Sequence, residues 1–180
     1  MLKLFCADND LELEIKVVKD ANFLLDSLIA GKGDLAAGNL SITNERRKLV
    51  DFSPEVLRTR QMLVQRLPKK YKKLSANQVK ARLLKDALEL DGKSVYVPEG
   101  SSYYKRLQNY AEENGLNIEV LGVDSKLGTE ELVNMVADGE IDYTVVDENS
   151  ARIHLGVYKN LDISVPLSLS QSIAWALPKG

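Results

Sequence analysis

Arg46 stands a few residues beyond a run of small and apolar residues, "GDLAAG", and just behind the hydroxyl-bearing pair Ser41 and Thr43. A guanidinium presents a planar fork of donors that matches a carboxylate bidentately, and hydroxyl and N–H groups beside it complete an anion site. On the residues alone, this reading and a plain surface charge on a helical turn stand level for Arg46; for Arg47 the surface charge is favoured. "PEGSSYYKRL" adds Gly100, Ser101 and Ser102 between a strand and a helix. Unpaired N–H groups at a helix start attract anions, while a serine there is equally at home as an N-cap. Asp147 ends the apolar run "DYTVV", where a carboxylate either meets a ligand ammonium or caps the helix that follows. An arginine, a helix N-terminus and an aspartate around one cleft would suit a zwitterion such as an α-amino acid.

The scan for catalytic and metal chemistry is mostly negative. No HExxH, CxxC, GxSxG or P-loop occurs. "GKGDLA" matches GxGxxA in letters, yet it leads from a helix into a strand, the reverse of a dinucleotide fingerprint. His154 is the only histidine and reads as a helix-surface residue; Cys6 is the only cysteine, which excludes an internal disulfide and a cysteine metal site. Tyr103, Tyr104 and Trp175 read as core or lobe-packing aromatics. No catalytic residue, metal or cofactor is expected. An enzyme on this frame would need a general acid or base, for which Glu99, Asp147 and Glu148 are the candidates.

The elements that must position these groups alternate. "LKLFCADND" reads as a helix, and "LELEIKVV" (11–18) has the strict alternation of a half-buried strand. "ANFLLDSLIAGK" spaces Leu24, Leu25, Leu28 and Ile29 as one helix face and ends at Gly31. A strand over 34–38 follows, which places Asn39 to Thr43 just past its end, and "RQMLVQR" is another strand. "LPKKYKKL" (67–74) carries Pro68 and four lysines and reads as a solvated connection, since no aromatic stacking set accompanies the charge. Ser75 and Gln78 predict a capping box for a helix to about Leu90. Strands "KSVYVPEG", "NIEVLGV", "DYTVV", "LDISV" and "SIAWALP" alternate with helices "SSYYKRLQNYAEEN", "TEELVNMVADG" and "ENSARIHLG". Such alternation predicts mainly parallel sheets flanked by helices, an α/β class. Residues 24–39 also align without a gap against 132–147: each stretch is an amphipathic helix, a glycine (Gly31, Gly139), then an aspartate (Asp34, Asp142) opening a short buried strand.

Bulk composition is ordinary for a soluble globular protein. The chain has 180 residues, 44% hydrophobic and 28% charged, with a formal net charge of −2. That charge gives no reason to expect a nucleic-acid partner, and no apolar run approaches a bilayer span. Met1 leads almost directly into a helix, so no signal peptide is read and the sequence does not report its own compartment.

"LLDSLIAGKGDLAAGNLSITNERRKLVDFSP" resembles the signature of bacterial solute-binding proteins of family 3, which have the type II periplasmic-binding fold. The resemblance continues through "LDGKSVYVPEGSSYYKRL", "TEELVNMVADGEIDYTVVDEN" and "PLSLSQSIAWALPKG". Within the family, "GSSYYKRL", "EIDYTVVDEN" and "IAWALPK" are most similar to the solute-binding-like domain that precedes the lysozyme-like domain of membrane-bound lytic murein transglycosylases. The resemblance implies two α/β lobes with a hinge near Gln65 and Gln171: residues 1–65 with 171–180, and residues 66–170. It implies that Arg46 grips an α-carboxylate, helped by Ser41, Thr43 and the backbone of Gly100, Ser101 and Ser102, while Asp147 takes the α-ammonium. Asn39 joins this ligand-binding set, standing where amino-acid transporters of the family carry glycine. The first lobe reads as trimmed at both ends relative to the family. The implied function is a non-catalytic, periplasmic or cell-envelope sensor domain for an amino acid or small cell-wall peptide, with an attached lysozyme-like domain as partner. An amino-acid-binding component of an ABC transporter and a dehydratase-like enzyme are the alternatives.

Overall fold

The computed structural model describes residues 2–18, 21–124 and 127–180. In chain order its elements are α1 (Leu2–Asp8), α2 (Ala21–Ile29), β1 (Ala36–Ser41), α3 (Arg46–Leu49), β2 (Val50–Phe52), β3 (Leu57–Thr59), β4 (Gln61–Arg66) and α4 (Ala76–Lys80). There follow β5 (Ser94–Pro98), α5 (Ser102–Asn114), β6 (Glu119–Val123), α6 (Thr129–Asp138), β7 (Tyr143–Asp147), α7 (Glu148–Val157), β8 (Leu161–Asp162) and β9 (Gln171–Pro178). Single 3-10 turns lie at Tyr71–Lys73 and Ala87–Leu90.

The first sheet is built around β9. One edge of β9 takes β1 (Leu40 opposite Ala174), and the other takes β3 (Leu57 opposite Ile173) and then β2 (Phe52 opposite Ala176), all antiparallel. α2 packs Leu25 and Leu28 against Ala36, Leu40, Val50 and Ala176 to form a small core. The register slips between Ala36 and Leu40, and Gly38 lies in that slip. There α2 comes so close that a Cβ on Gly38 would stand 2.8 Å from Leu24 Cδ2.

The second sheet has the order β6-β5-β7-β4-β8, with β5 parallel to β6 and β7, and β4 antiparallel to β7 and β8. Neighbouring strand residues point to opposite faces, and both faces are covered. Leu63, Val95, Val97 and Val145 join Leu107 of α5 on one face. Val64 and Val146 join Leu132, Val133 and Val136 of α6 and Ala151 of α7 on the other. This is why "MLV" and "TVV" read as unbroken apolar runs instead of alternating ones.

Several sequence expectations change. Parallel pairing holds only for β5 with its neighbours: in the first sheet β9 returns from the far end of the chain and runs against β1, β2 and β3, and in the second β4 runs against β7 and β8. β1 continues through Asn39 and Leu40 to Ser41, so these residues belong to the strand and not to the loop past it. Residues 11–18 form no strand: no described strand pairs with them, and Leu11, Ile15 and Val17 are 55%, 66% and 88% exposed. The capping box at Ser75 is present, with Gln78 N–H donating to its hydroxyl (3.3 Å) and Gln78 Oε1 accepting from Ser75 N–H (2.9 Å), but the helix ends at Lys80. The chain crosses between the sheets at Arg60 and again over 168–170, where Thr59 pairs with Gln171 and Leu167 N–H donates to the Gln61 carbonyl (2.8 Å). Gln61–Arg66, which the sequence reading left largely with the first lobe, pairs entirely within the second sheet.

Candidate functional site

The end of β1 delivers the arginine. Ser41 is buried, and Arg46 folds back so that Nη1 donates to the Ser41 carbonyl at 3.1 Å. Thr43 Oγ1 accepts from Arg46 N–H (3.2 Å), which starts the short α3 and fixes the direction of the side chain. Burial pulls the guanidinium below its ordinary pKa, and Tyr103, in the first turn of α5, is close enough to act on it in the opposite direction. An arginine remains charged throughout the physiological range, so this is a fixed cation with its fork only partly engaged.

The end of β7 delivers the carboxylate. Asp147 occupies the N-cap position of α7, yet its side chain makes no capping hydrogen bond. Of the two readings open for this residue, capping is therefore excluded. The carboxylate is buried, the Tyr103 hydroxyl lies close enough to lower its pKa, and Oδ1 has no partner. Burial pushes its pKa up to about 6, against the opposing pull of the Tyr103 hydroxyl. Burial and the adjoining Asp147 charge in turn hold the Tyr103 phenol protonated.

The strap between β5 and α5 closes the third side. Gly100 takes a left-handed backbone, φ 70°, to turn the chain into the helix. Ser101 is the N-cap, its hydroxyl accepting from Tyr104 N–H (3.2 Å), so that hydroxyl is engaged. Ser102 Oγ accepts from Gln61 Nε2 at 3.4 Å. Asn39, by contrast, is exposed in the middle of β1. Arg46, Tyr103 and Asp147 thus form one electrostatically connected group, with Ser102 and Gln61 linked to each other by hydrogen bond.

Gln61 and Tyr103 also reach this candidate site, and the sequence did not single them out for it. Gln61 is 1% exposed and its Oε1 accepts nothing. Gln65, on the same strand, is just as buried but fully engaged: Nε2 donates to the Leu84 carbonyl (2.9 Å) and Asp162 Oδ1 (3.0 Å), and Oε1 accepts from Leu84 N–H (2.9 Å). Two glutamines inside an apolar strand were the available signal. Glu148, a candidate acid of the enzymatic reading, is bound by Arg60 (3.1 Å) and Arg152 (2.6 Å), which hold its carboxyl below the usual range. Glu99 is exposed.

Residues 1–143 match the bacterial extracellular solute-binding proteins, family 3, and the chain belongs to that family. It is 30% identical over 186 residues to a membrane-bound lytic murein transglycosylase F of Saccharophagus degradans, covering 99% of this chain and 33% of that protein. It is 35% identical over 159 residues to the Aeromonas salmonicida protein of that name, covering 87% and 28%. The chain therefore spans about a third of the length of these curated relatives. Among solved structures, the arginine-bound form of truncated ArgBP from T. maritima superposes with a TM-score of 0.77 at 26% identity, covering 99% of this chain and 74% of that one. The arginine-, lysine-, histidine-binding protein ArtJ of Geobacillus stearothermophilus gives 0.75 at 18%, covering 99% and 71%. The fold is that of the type II periplasmic binding proteins.

Proposed function

We propose that this chain is an extracytoplasmic, non-catalytic binding domain for an α-amino acid or a small cell-wall peptide bearing a free carboxylate and ammonium. Arg46 takes the carboxylate, with Ser41, Thr43 and the Gly100–Ser102 backbone around it. Asp147 takes the ammonium, and Gln61 Oε1 accepts a second donor. The lobes are residues up to 60 with 171–180, and residues 61–170, closing about the two crossings.

The observation that carries this reading is the pair of buried acceptors, Asp147 Oδ1 and Gln61 Oε1, left without donors. A third such atom, Asn134 Oδ1, lies on α6. Native proteins rarely leave buried polar atoms unpaired, and a site built for a donor is one recurrent reason. A ligand ammonium would satisfy Asp147 where the protein does not.

In the longer protein, the domain would report a cell-wall-derived ligand to an attached lysozyme-like domain. The relatives named as lytic murein transglycosylases support this role, and the arginine-bound neighbours support the second reading, delivery of an amino acid to a transporter. Calorimetric titration with arginine, glutamate, alanine and short muropeptides tests both. The expected result is saturable binding that falls by about two to three orders of magnitude in Arg46→Ala, the usual scale for truncating one partner of a buried charge pair. Binding that survives Arg46→Ala overturns the assignment. Turnover of a prephenate-like acid that is lost in Asp147→Asn while affinity stays would favour the enzymatic reading instead.

A further inference from the structure

Residues 66–85 contain eight cationic side chains and no acidic one: all 26 Asp and Glu residues lie elsewhere in a chain whose net charge is −2. Where β4 ends, this segment walls a cavity of about 120 Å³ lined by Gln65, Arg66, Lys69, Arg82, Asp142 and Tyr143, with Leu67 and Pro68 completing it. A single water needs about 10–15 Å³ on this measure, so the cavity has room for an oxyanion with some of its hydration. Among the described residues, Arg66, Lys69 and Arg82 make no ion pair.

The cavity is constructed, not merely a gap between loops. Gln65 is pinned by three hydrogen bonds and forms a rigid floor. The Arg66 guanidinium lies against Gly139, in the space a Cβ there would occupy, at the C-terminal end of α6. That helix end presents the negative pole of its dipole and so holds the cation in place. Burial raises the pKa of Tyr143, so its hydroxyl remains a donor. Three cations against the single carboxylate of Asp142 leave a net positive lining, and two guanidinium forks match tetrahedral oxyanions bidentately.

We propose that this cavity binds a phosphate group, independently of the cleft that holds Arg46 and Asp147. The same chemistry is offered by a free phosphate and by a phospholipid headgroup, and the flanking Lys70, Lys72, Lys73, Lys80 and Lys85 would add non-specific attraction in either case.

The test is a titration of the chain with inorganic phosphate against chloride at matched ionic strength, beside sedimentation with phosphatidylglycerol and phosphatidylcholine vesicles. Each is repeated for Arg66→Gln/Arg82→Gln and for Lys72→Gln/Lys73→Gln, outside the cavity, with circular dichroism to confirm folding. Lys69→Gln alone is the milder variant should the double arginine change unfold the chain. The expected result is saturable phosphate binding weakened at least about tenfold by the arginine pair, and little changed by the lysine pair. Vesicle binding with the same arginine dependence identifies the headgroup as occupant; phosphate binding without vesicle binding identifies the free anion. Vesicle binding that falls equally in both variants, with no saturable phosphate binding, shows only diffuse charge and overturns the site, as does failure to bind either probe.

Discussion

The two helix–glycine–strand units, α2 into β1 and α6 into β7, begin alike and end differently. Both helices stop at a glycine in the left-handed region, Gly31 at φ 69° and Gly139 at φ 84°. Both then enter a strand through an aspartate, and the aligned last residues are Asn39 and Asp147. Asp147 is buried at the start of a helix, whereas Asn39 is exposed in the middle of a strand that goes on to Ser41. The difference comes from the partners. β7 is a central strand between β5 and β4, covered on both faces, and stops where α7 begins. Among the described strands β1 pairs only with β9 and slips register there, which carries it past the aligned position. The same local grammar therefore presents a carboxylate from one unit and, a few residues later, a guanidinium from the other.

Breaking the cores separates the units most strongly. Leu132 is fully buried between α6 and the sheet, while Leu24 on α2 is only partly buried. Leu132→Ala is expected to cost about 2–5 kcal/mol in chemical denaturation, and Leu24→Ala clearly less. Equal losses would show that the first unit is as tightly packed as the second. On the ligand side, Asp147→Ala should reduce affinity by about two orders of magnitude, whereas Asn39→Ala should leave it within about twofold. A large loss from Asn39→Ala in titration would mean that the exposed position is drawn into the site on closure.

How far this was legible in the sequence follows from the same contrast. The second unit was readable because its strands are buried on both faces and its caps are local: Gly115 and Gly139 end their helices, and Ser101 caps α5. "LELEIKVV" failed because alternation states only which side could be buried, not whether another strand offers an edge. Arg46 and Asp147 stand out in the sequence through their position at strand ends. Gln61 does not, because nothing local separates it from Gln65. The Gln65 side chain meets Leu84 and Asp162, far away in sequence, whereas the Gln61 side chain meets Ser102, equally remote, through its amide nitrogen while its oxygen stays free. Tyr103 was assigned to packing, which is half correct: its ring joins the apolar face under α5 while its hydroxyl serves Asp147.

Proton linkage sharpens the comparison further, since only the Asp147 side titrates near neutrality. Its pKa is raised from 3.8 to about 6 in the folded chain. A raised carboxyl favours the folded state below the unfolded value, near pH 4, and that contribution is lost as pH rises through about 6. Ionising the buried group thus costs the ligand-free protein on the order of 3 kcal/mol above pH 6. Asp147→Asn should accordingly stabilise the ligand-free chain at pH 8 and not at pH 4, as read by denaturation midpoints. An ammonium ligand requires the ionised form, so affinity should fall below pH 6, by up to about tenfold per unit, and binding near pH 6 should release a proton. A flat affinity from pH 5 to 8 would remove Asp147 from the site.

The smallest expected effect lies where the elements flanking the two sheets meet at the surface. Lys105 of α5 pairs with Glu45, the residue that precedes α3, and this contact bridges the two sheets beside Arg46. The lysine hydrogen bond and charge hold the Glu45 carboxyl below its usual range. Both side chains are more than half exposed, and exposed pairs contribute little because water and salt screen them. If closure of the lobes is driven by the buried groups, Lys105→Ala should alter affinity only about twofold at low salt, and the change should vanish as ionic strength rises. A larger loss that persists at high salt would mean that the ion pair selects the closed arrangement, and that the rim governs the cleft as much as its interior does.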